Sequence, residues 1–286
     1  MSDQSKEKEK KTKIDLPDFD LSHQSQSDED DSKDRLFVTA LARGLDILRS
    51  FSPEERALRN QDIVKRTGLP KATVFRLTHT LIKLGYLNYS EETGRLHLGT
   101  GVLSLGYSLL NNSNILKTAR PYMQELADYS HSAVSLGSRD RLNMVYLDSC
   151  RCTDTTFTLN LEAGASIPLA TTAMGKAHIC ALPEEERDYV MDHIRRHNES
   201  DWPKIKGGIE QALRDYERWG FCFSLGDWRH DVNGVAVSMR PVPGTGILTF
   251  NCGGPSFLLR RHMLEDDLGP RLVLLTRNIE AKLAQI

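Results

Sequence analysis

From residue 36 onward the apolar positions fall into short periodic runs. Val38, Leu41, Leu45 and Leu48 recur at helical spacing, with Phe51 closing the series, and predict a first helix stopped at Ser52-Pro53. Asn60 is a favourable N-cap, and a short helix with Ile63 and Val64 as its apolar positions is expected after it. Thr67-Gly68-Leu69-Pro70 ends that helix, since Gly supplies a left-handed turn and Pro starts a helix but cannot continue one. The next helix is expected from Lys71 to about Leu84. Its apolar face carries Val74, Leu77, Leu81 and Leu84, and its other side Lys71, Thr73, Arg76, Thr80 and Lys83. Tyr86–Tyr89 and Arg95–Leu98 then read as two short strands joined by Ser90–Gly94. Two helices at a tight turn followed by a hairpin form a winged helix-turn-helix pattern, on which the first helix should pack.

Beyond Gly101 the pattern alternates. A linking helix is expected to about Leu110, a loop at Asn111–Asn114, and an amphipathic helix from Ile115 to Tyr129. Ala133–Leu136 and Asn143–Leu147 look like strands paired across Ser138-Arg139-Asp140, and Thr155–Leu161 is rich in strand-forming residues. Thr172–Leu182, Pro183–His197 and Ile205–Arg218 read as helices, and Gly234–Met239 and Gly246–Asn251 as a hairpin around Val242–Thr245. Closing helices are expected at Phe257–Leu264 and Gly269–Leu283. The fold class is α+β, with a mostly antiparallel sheet and helices on its faces. The expected division is a disordered polar tail over 1–35, a winged helix-turn-helix over 36–99, a linker helix over 100–114, and a second domain over 115–286.

The net charge of the 286 residues is only −2, but its distribution is uneven. Residues 1–35 hold 7 Lys and Arg against 11 Asp and Glu, residues 36–100 hold 10 against 6, and the remainder 20 against 22. Positive charge thus collects on the winged helix, as contact with phosphates requires. The first 35 residues are too polar to offset their ordering entropy. Five scattered cysteines are no disulfide framework and suit a reducing cytoplasm. The absence of a long apolar run argues against a membrane span, and the polar start against a secretory signal.

A second helix laid in the major groove would present Lys71, Ala72, Thr73 and Arg76 at its exposed front. Arg76 suits a guanine edge, whereas Lys71 and Thr73 suit phosphates. Arg95 in the wing should reach the backbone or the minor groove. The bland alternative is a helical subdomain whose basic face is merely solvated. Other constellations are weaker. Gly175-Lys176 lacks the upstream glycine of a phosphate loop. His193 and His197 stand four apart with no third ligand in view, so a solvated face is the simpler reading. Cys150 and Cys152 lack a second pair for zinc, and no nucleophile elbow is discernible.

Ala40-Leu41-Ala42-Arg43-Gly44-Leu45-Asp46-Ile47-Leu48, the run from Thr67 to Leu77, and Glu92–Gly99 resemble the IclR family of bacterial transcriptional regulators. Pro168–Ala177 and Gly220–Ala236 resemble the same family, so the likeness spans about residues 37 to 284. It implies a GAF-like α/β sensor domain after the winged helix, dimers or tetramers, and operator binding tuned by a small organic or aromatic acid. Thr171, Thr172, Ala173 and Met174 would open a helix whose hydroxyls and free N–H groups favour a carboxylate. Asp227 and Asn251 would complete a polar rim, and Leu169 and Met174 an apolar wall. The alternative is that this threonine-glycine run only caps a helix. The resemblance also places Gly234 at the effector pocket, and the chain departs from the family pattern there, where Cys, Ser or Ala is usual, and at Asp227, where Glu is usual. Ser224 stands where Asp or Ser is usual.

The expectation is therefore a non-enzymatic, ligand-responsive regulator. Its partners would be a double-stranded DNA operator, a small-molecule effector and further copies of itself as a homodimer or homotetramer, with no cofactor, metal or membrane. Two other readings fit the sequence: a metabolite-processing enzyme fused to a DNA-binding domain, and an architectural DNA binder whose second domain only dimerises.

Overall fold

The computed structural model describes residues 36–53, 55–111, 114–152, 161–241 and 246–285. Helix α1 (Thr39–Arg49) leads to a two-residue strand β1 (Ala57–Leu58) and the helix pair α2 (Asn60–Thr67) and α3 (Lys71–Lys83). Strands β2 (Leu87–Ser90) and β3 (Arg95–Leu98) form the wing, with β3 paired to both β1 and β2. The core of this unit is Ile47, Leu58, Ile63, Val74, Leu87 and Leu96. Several local expectations need correction. Asn60 is the first helical residue rather than the cap, and the Asp62 carboxylate accepts from the Arg59 N–H at 2.9 Å. Leu84 lies past the end of α3 and is exposed. On α1 the packing face is Gly44, Ile47 and Leu48, while Val38, Leu41 and Leu45 point to solvent. That helix has two apolar sides, and spacing alone does not say which one the core takes. The strand β1 was not expected, because two residues carry no period.

Helix α4 (Thr100–Asn111) follows the wing, and α5 (Asn114–Ser130) opens the second unit. Asn111 and Asn114 thus end and begin helices, and the rest of the expected asparagine loop lies outside the described residues. Next come β4 (Ala133–Asp140), β5 (Asn143–Arg151), β6 (Ser166–Pro168), α6 (Ala173–Ala181), α7 (Glu184–His197) and α8 (Trp202–Trp219). Strands β7 (Cys222–Leu225), β8 (Val232–Ser238) and β9 (Leu248–Pro255) complete an antiparallel sheet in the order β6-β5-β4-β9-β8-β7. The β4–β5 turn is Arg141-Leu142, with Arg141 at φ 56°, two residues beyond the expected position. Of the expected 155–161 strand, all but Leu161 lies outside the described residues, as do residues 242–245 of the β8–β9 connection. At the end of the chain α9 (Arg261–Met263) widens into a π-turn at Leu264–Leu268 and continues as α10 (Gly269–Leu283). Phe257, expected to start that helix, precedes it and is exposed.

Helices cover both faces of the sheet. On one face α5 and α10 bury Met123, Leu126, Leu272 and Ile279 against Val134, Val235 and Phe250. On the other, α6, α7 and α8 bury Met174, Ile194 and Ile209 against Met144, Tyr146 and Ile167. Strand alternation assigns Val235 and Val237 to one side and Ala236 to the other. Strand β5 breaks this alternation. The pairing steps from Leu136–Asp148 to Gly137–Tyr146, so Leu147 is the extra residue of a bulge. One extra residue exchanges the faces, which is why Tyr146 and Cys150, four apart, sit in different cores. The bulge aims Tyr146 toward α6.

Candidate functional site

Two surfaces bring together the residues singled out in the sequence. The first is α3. Gly68 adopts φ 68° and closes α2, Leu69-Pro70 turns the chain, and Lys71, Ala72 and Thr73 open α3. Their N–H groups have no partner inside the helix. Thr78 is buried against α2 and donates to the Asn60 side-chain oxygen at 3.3 Å, which fixes how the two helices cross. Outward face Lys71, Ala72, Phe75, Arg76, His79, Thr80 and Lys83, and α3 contains no acidic residue. Thr73 is half-buried. In the wing, exposed Arg95 donates from Nη1 to the Ala57 carbonyl at 3.0 Å, which lays its side chain across the sheet.

The second surface is a small pocket at the start of α6. Thr172, the N-cap, accepts from the Gly175 N–H at 3.1 Å and donates to the Pro168 carbonyl at 2.7 Å. Its hydroxyl is thus fully engaged in capping, and the donors α6 offers a ligand are the first-turn N–H groups. Glycines let this helix end approach the strands. A Cβ on Gly175 would stand 1.9 Å from the Leu169 carbonyl oxygen, and one on Gly137 would meet the Met174 sulfur at 2.6 Å. The pocket is lined by Tyr146, Ile167, Thr172, Ala173, Met174, Ser224, Trp228, Val232, Asn233, Gly234, Asn251 and Gly253. Asn251 is buried, and its Oδ1 has no hydrogen-bond partner. Burial pushes the neighbouring Tyr146 hydroxyl up to about 12 against the opposing hydrogen bond from the Asn251 side chain, so the hydroxyl stays neutral. The cavity measures about 30 Å³, enough for about two waters.

Of the residues proposed from sequence, Thr172, Ala173, Met174, Gly234 and Asn251 meet here. Leu169, Thr171 and Asp227 stand outside the lining. Leu169 is fully buried beneath α6, and the Thr171 carbonyl accepts from the Ser224 hydroxyl at 2.8 Å. The Asp227 carboxylate receives the buried Lys176 ammonium at 2.5 Å. It therefore ties down the loop that carries Trp228. Tyr146, Ile167, Trp228, Val232, Asn233 and Gly253 had not been singled out. The signal that would have found Tyr146 is a polar group inside an otherwise apolar strand, since such groups require partners.

The remaining candidates resolve simply. His193 and His197 each place Nδ1 2.9 Å from the carbonyl four residues back, and His193 is buried against Tyr189 rather than solvated. No disulfide joins the five cysteines, all of them among the described residues, and burial pushes Cys150 up to about 11. Among the described residues no cluster of three metal-ligating side chains occurs, and no helix is long and apolar enough to cross a membrane.

Residues 40–91 match the IclR helix-turn-helix domain, and residues 107–262 match the bacterial transcriptional regulator IclR C-terminal domain. The chain belongs to the IclR family. Among its IclR relatives, the HTH-type transcriptional regulator TsaQ1/TsaQ2 of Comamonas testosteroni is 38% identical over 86% of this chain and 88% of its own length. The Pca regulon regulatory protein of Pseudomonas putida is 25% identical over 85% of this chain and 83% of its own. The crystal structure of an IclR family regulator from Brucella abortus is 49% identical and superposes with a TM-score of 0.84, covering 87% of this chain and 94% of that one. These relatives are transcriptional regulators, not enzymes, and so is this IclR member.

Proposed function

We propose that this regulator reads an operator with Lys71, Ala72, Thr73, Arg76 and Arg95 and senses a small organic acid in the α6 pocket. The observation that carries the sensor reading is the Asn251 oxygen, buried and without a partner, in the same cavity as the α6 N-terminus. A buried acceptor left unpaired is costly, and a ligand with a hydroxyl or amide donor would relieve it. The α6 N–H groups favour negative charge at the other end of such a ligand. At about 30 Å³ the closed pocket has room for about two waters. An acid that carries both groups requires the Trp228 loop to move, and so the Asp227–Lys176 pair to part.

Self-association is the second element of the proposal. Val38, Leu41 and Leu45 of α1 and Leu103, Leu105, Tyr107 and Leu109 of α4 are exposed apolar side chains. A second copy seated on them would place two recognition helices on half-sites about one duplex turn, ~34 Å, apart. Five cysteines without a disulfide suit a cytoplasmic setting.

The test is a thermal-shift screen of the full chain against small aliphatic and aromatic acids. A ligand at a hundredfold excess over its Kd adds about 2.7 kcal/mol of apparent stability. Support would be a hit that Asn251→Leu abolishes and Thr172→Val weakens, and that changes operator affinity. A shift unaltered by Asn251→Leu would remove the pocket assignment. Full operator selectivity in Arg76→Ala would remove the DNA assignment.

A further inference from the structure

We propose that Phe75 is a specificity-determining residue that packs its ring on the methyl group of a thymine in the major groove. This rests on the reading of α3 as the DNA-contacting helix. Along α3 the outward positions are 71, 72, 75, 76, 79, 80 and 83, a single face at helical spacing. Phe75 lies in the middle of it and is 63% exposed. Its neighbours one turn away are Lys71, Ala72 and His79, and Arg76 follows it directly. A large apolar ring thus stands bare within a face otherwise composed of three cations, an imidazole, a hydroxyl and one small residue.

Two arguments make DNA the occupant. With no acidic residue on α3, the cations around Phe75 complement a polyanion. Inside the major groove, the thymine C5-methyl is the apolar feature that distinguishes one base edge from another. The self-association surface is elsewhere. Phe75, Arg76 and His79 share a cleft with Thr39, Ala40 and Arg43 of α1. At about 100° per residue, Val38, Leu41 and Leu45 fall on the other side of that helix. Phe75 therefore belongs to the cationic cleft and not to the apolar stripe. Arg43, across the cleft, is placed for a phosphate beside the base that the ring touches.

The experiment uses the full-length protein. Preferred sites are first recovered from a random duplex library, and each thymine is then replaced singly by deoxyuridine, which lacks only the methyl. Losing one buried methyl should weaken wild-type binding about 4-fold at one thymine per half-site. Phe75→Ala should bind the thymine duplex several-fold more weakly, ignore the change to deoxyuridine, and keep the wild-type salt dependence, since no phosphate contact is lost. Phe75→Leu, which retains apolar volume, should keep part of the discrimination. Wild-type binding unchanged by every replacement, or a Phe75→Ala protein with wild-type affinity and preference, would overturn the proposal while leaving α3 as the recognition helix. A wild-type protein that selects no sequence at all would overturn both.

Discussion

The face of α3 and the pocket at α6 are built in opposite ways. The α3 face is one helix, outward-facing, with side chains that end in water and touch little of the protein. The pocket draws on β5, β6, α6, β7, β8, β9 and the β7–β8 loop, and its groups are held by capping bonds, an ion pair and backbone packed on backbone. A face of the first kind changes its chemistry at little cost in stability. A site of the second kind cannot. Substitutions should therefore separate cleanly: on α3 they should change binding and not folding, and around α6 they should change folding first.

The largest effect should come from Gly175→Ala. Its Cβ would overlap the Leu169 carbonyl, a backbone atom that no rotamer change can clear. Overpacking of this kind costs about 3 kcal/mol. Calorimetry should show the transition of the second unit falling by several degrees. An unchanged melting temperature would mean that α6 is not rigidly seated, and the contrast with α3 would dissolve.

Next is Arg76→Ala, with no expected change in melting temperature. Discrimination at one operator position should fall by about 2 kcal/mol, whereas Lys71→Ala should weaken all duplexes alike and lower the salt slope by about 0.9. Titrations at several salt concentrations check both. A destabilised Arg76→Ala protein would show that the α3 face is structural after all.

The same contrast explains what the sequence made legible. The α3 face and the wing hairpin follow from local spacing, Gly68-Leu69-Pro70 and Gly94, because helix period and turn chemistry act over a few residues. Strand β1 was invisible, since Ala57-Leu58 is defined only by its pairing with Leu96 and His97. In the pocket, Thr172, Ala173 and Met174 are legible because a helix start has a local signature. Tyr146 and Ile167 did not. Tyr146 reaches the pocket because the bulge at Leu147 sets which face it takes, and Ile167 because β6 pairs with β5. Register is a long-range property that no local period encodes. Asp227 was placed on the pocket rim, but its carboxylate is drawn aside by Lys176, whose buried charge demands a partner.

His178 sharpens the comparison through pH. It sits on α6, buried, with Nδ1 unpartnered, and burial together with the Arg139 charge pushes it down to about 3. An unfolded histidine titrates near 6.5, so between about pH 6.5 and 3 the unfolded chain binds the extra proton. The stabilisation is fully present above pH 6.5 and is lost as pH falls, by about 2 kcal/mol at pH 5. His178→Phe removes both the proton site and an orphaned polar atom. Urea melts should show a smaller loss between pH 7.5 and 5 than in wild type, with little change at pH 7.5. Identical slopes in the two proteins would show that His178 is solvated in solution. No such dependence is expected from the α3 face, which buries no titratable group.

The smallest effect should lie where the two regions meet. The β4–β5 turn reaches α1 of the winged-helix unit through two crossed ion pairs, Arg141–Asp46 at 3.1 Å and Arg49–Asp140 at 3.5 Å. All four side chains are nearly half exposed, so each pair is worth less than about 1 kcal/mol and should weaken with salt. The turn is nevertheless tied to the pocket wall, because the Leu142 carbonyl accepts from the Leu169 N–H at 3.0 Å, next to the α6 cap. A weak contact at that place contributes little to stability yet can bias the position of the recognition helix. Asp46→Ala and Arg141→Ala, alone and together, should barely move the melting temperature. Their coupling should instead appear in how strongly an acid bound in the pocket changes operator affinity, and should fade at high salt. If the double variant transmits the ligand signal at full strength, these ion pairs do not connect the two sites, and coupling runs through α4 or through a second copy of the chain.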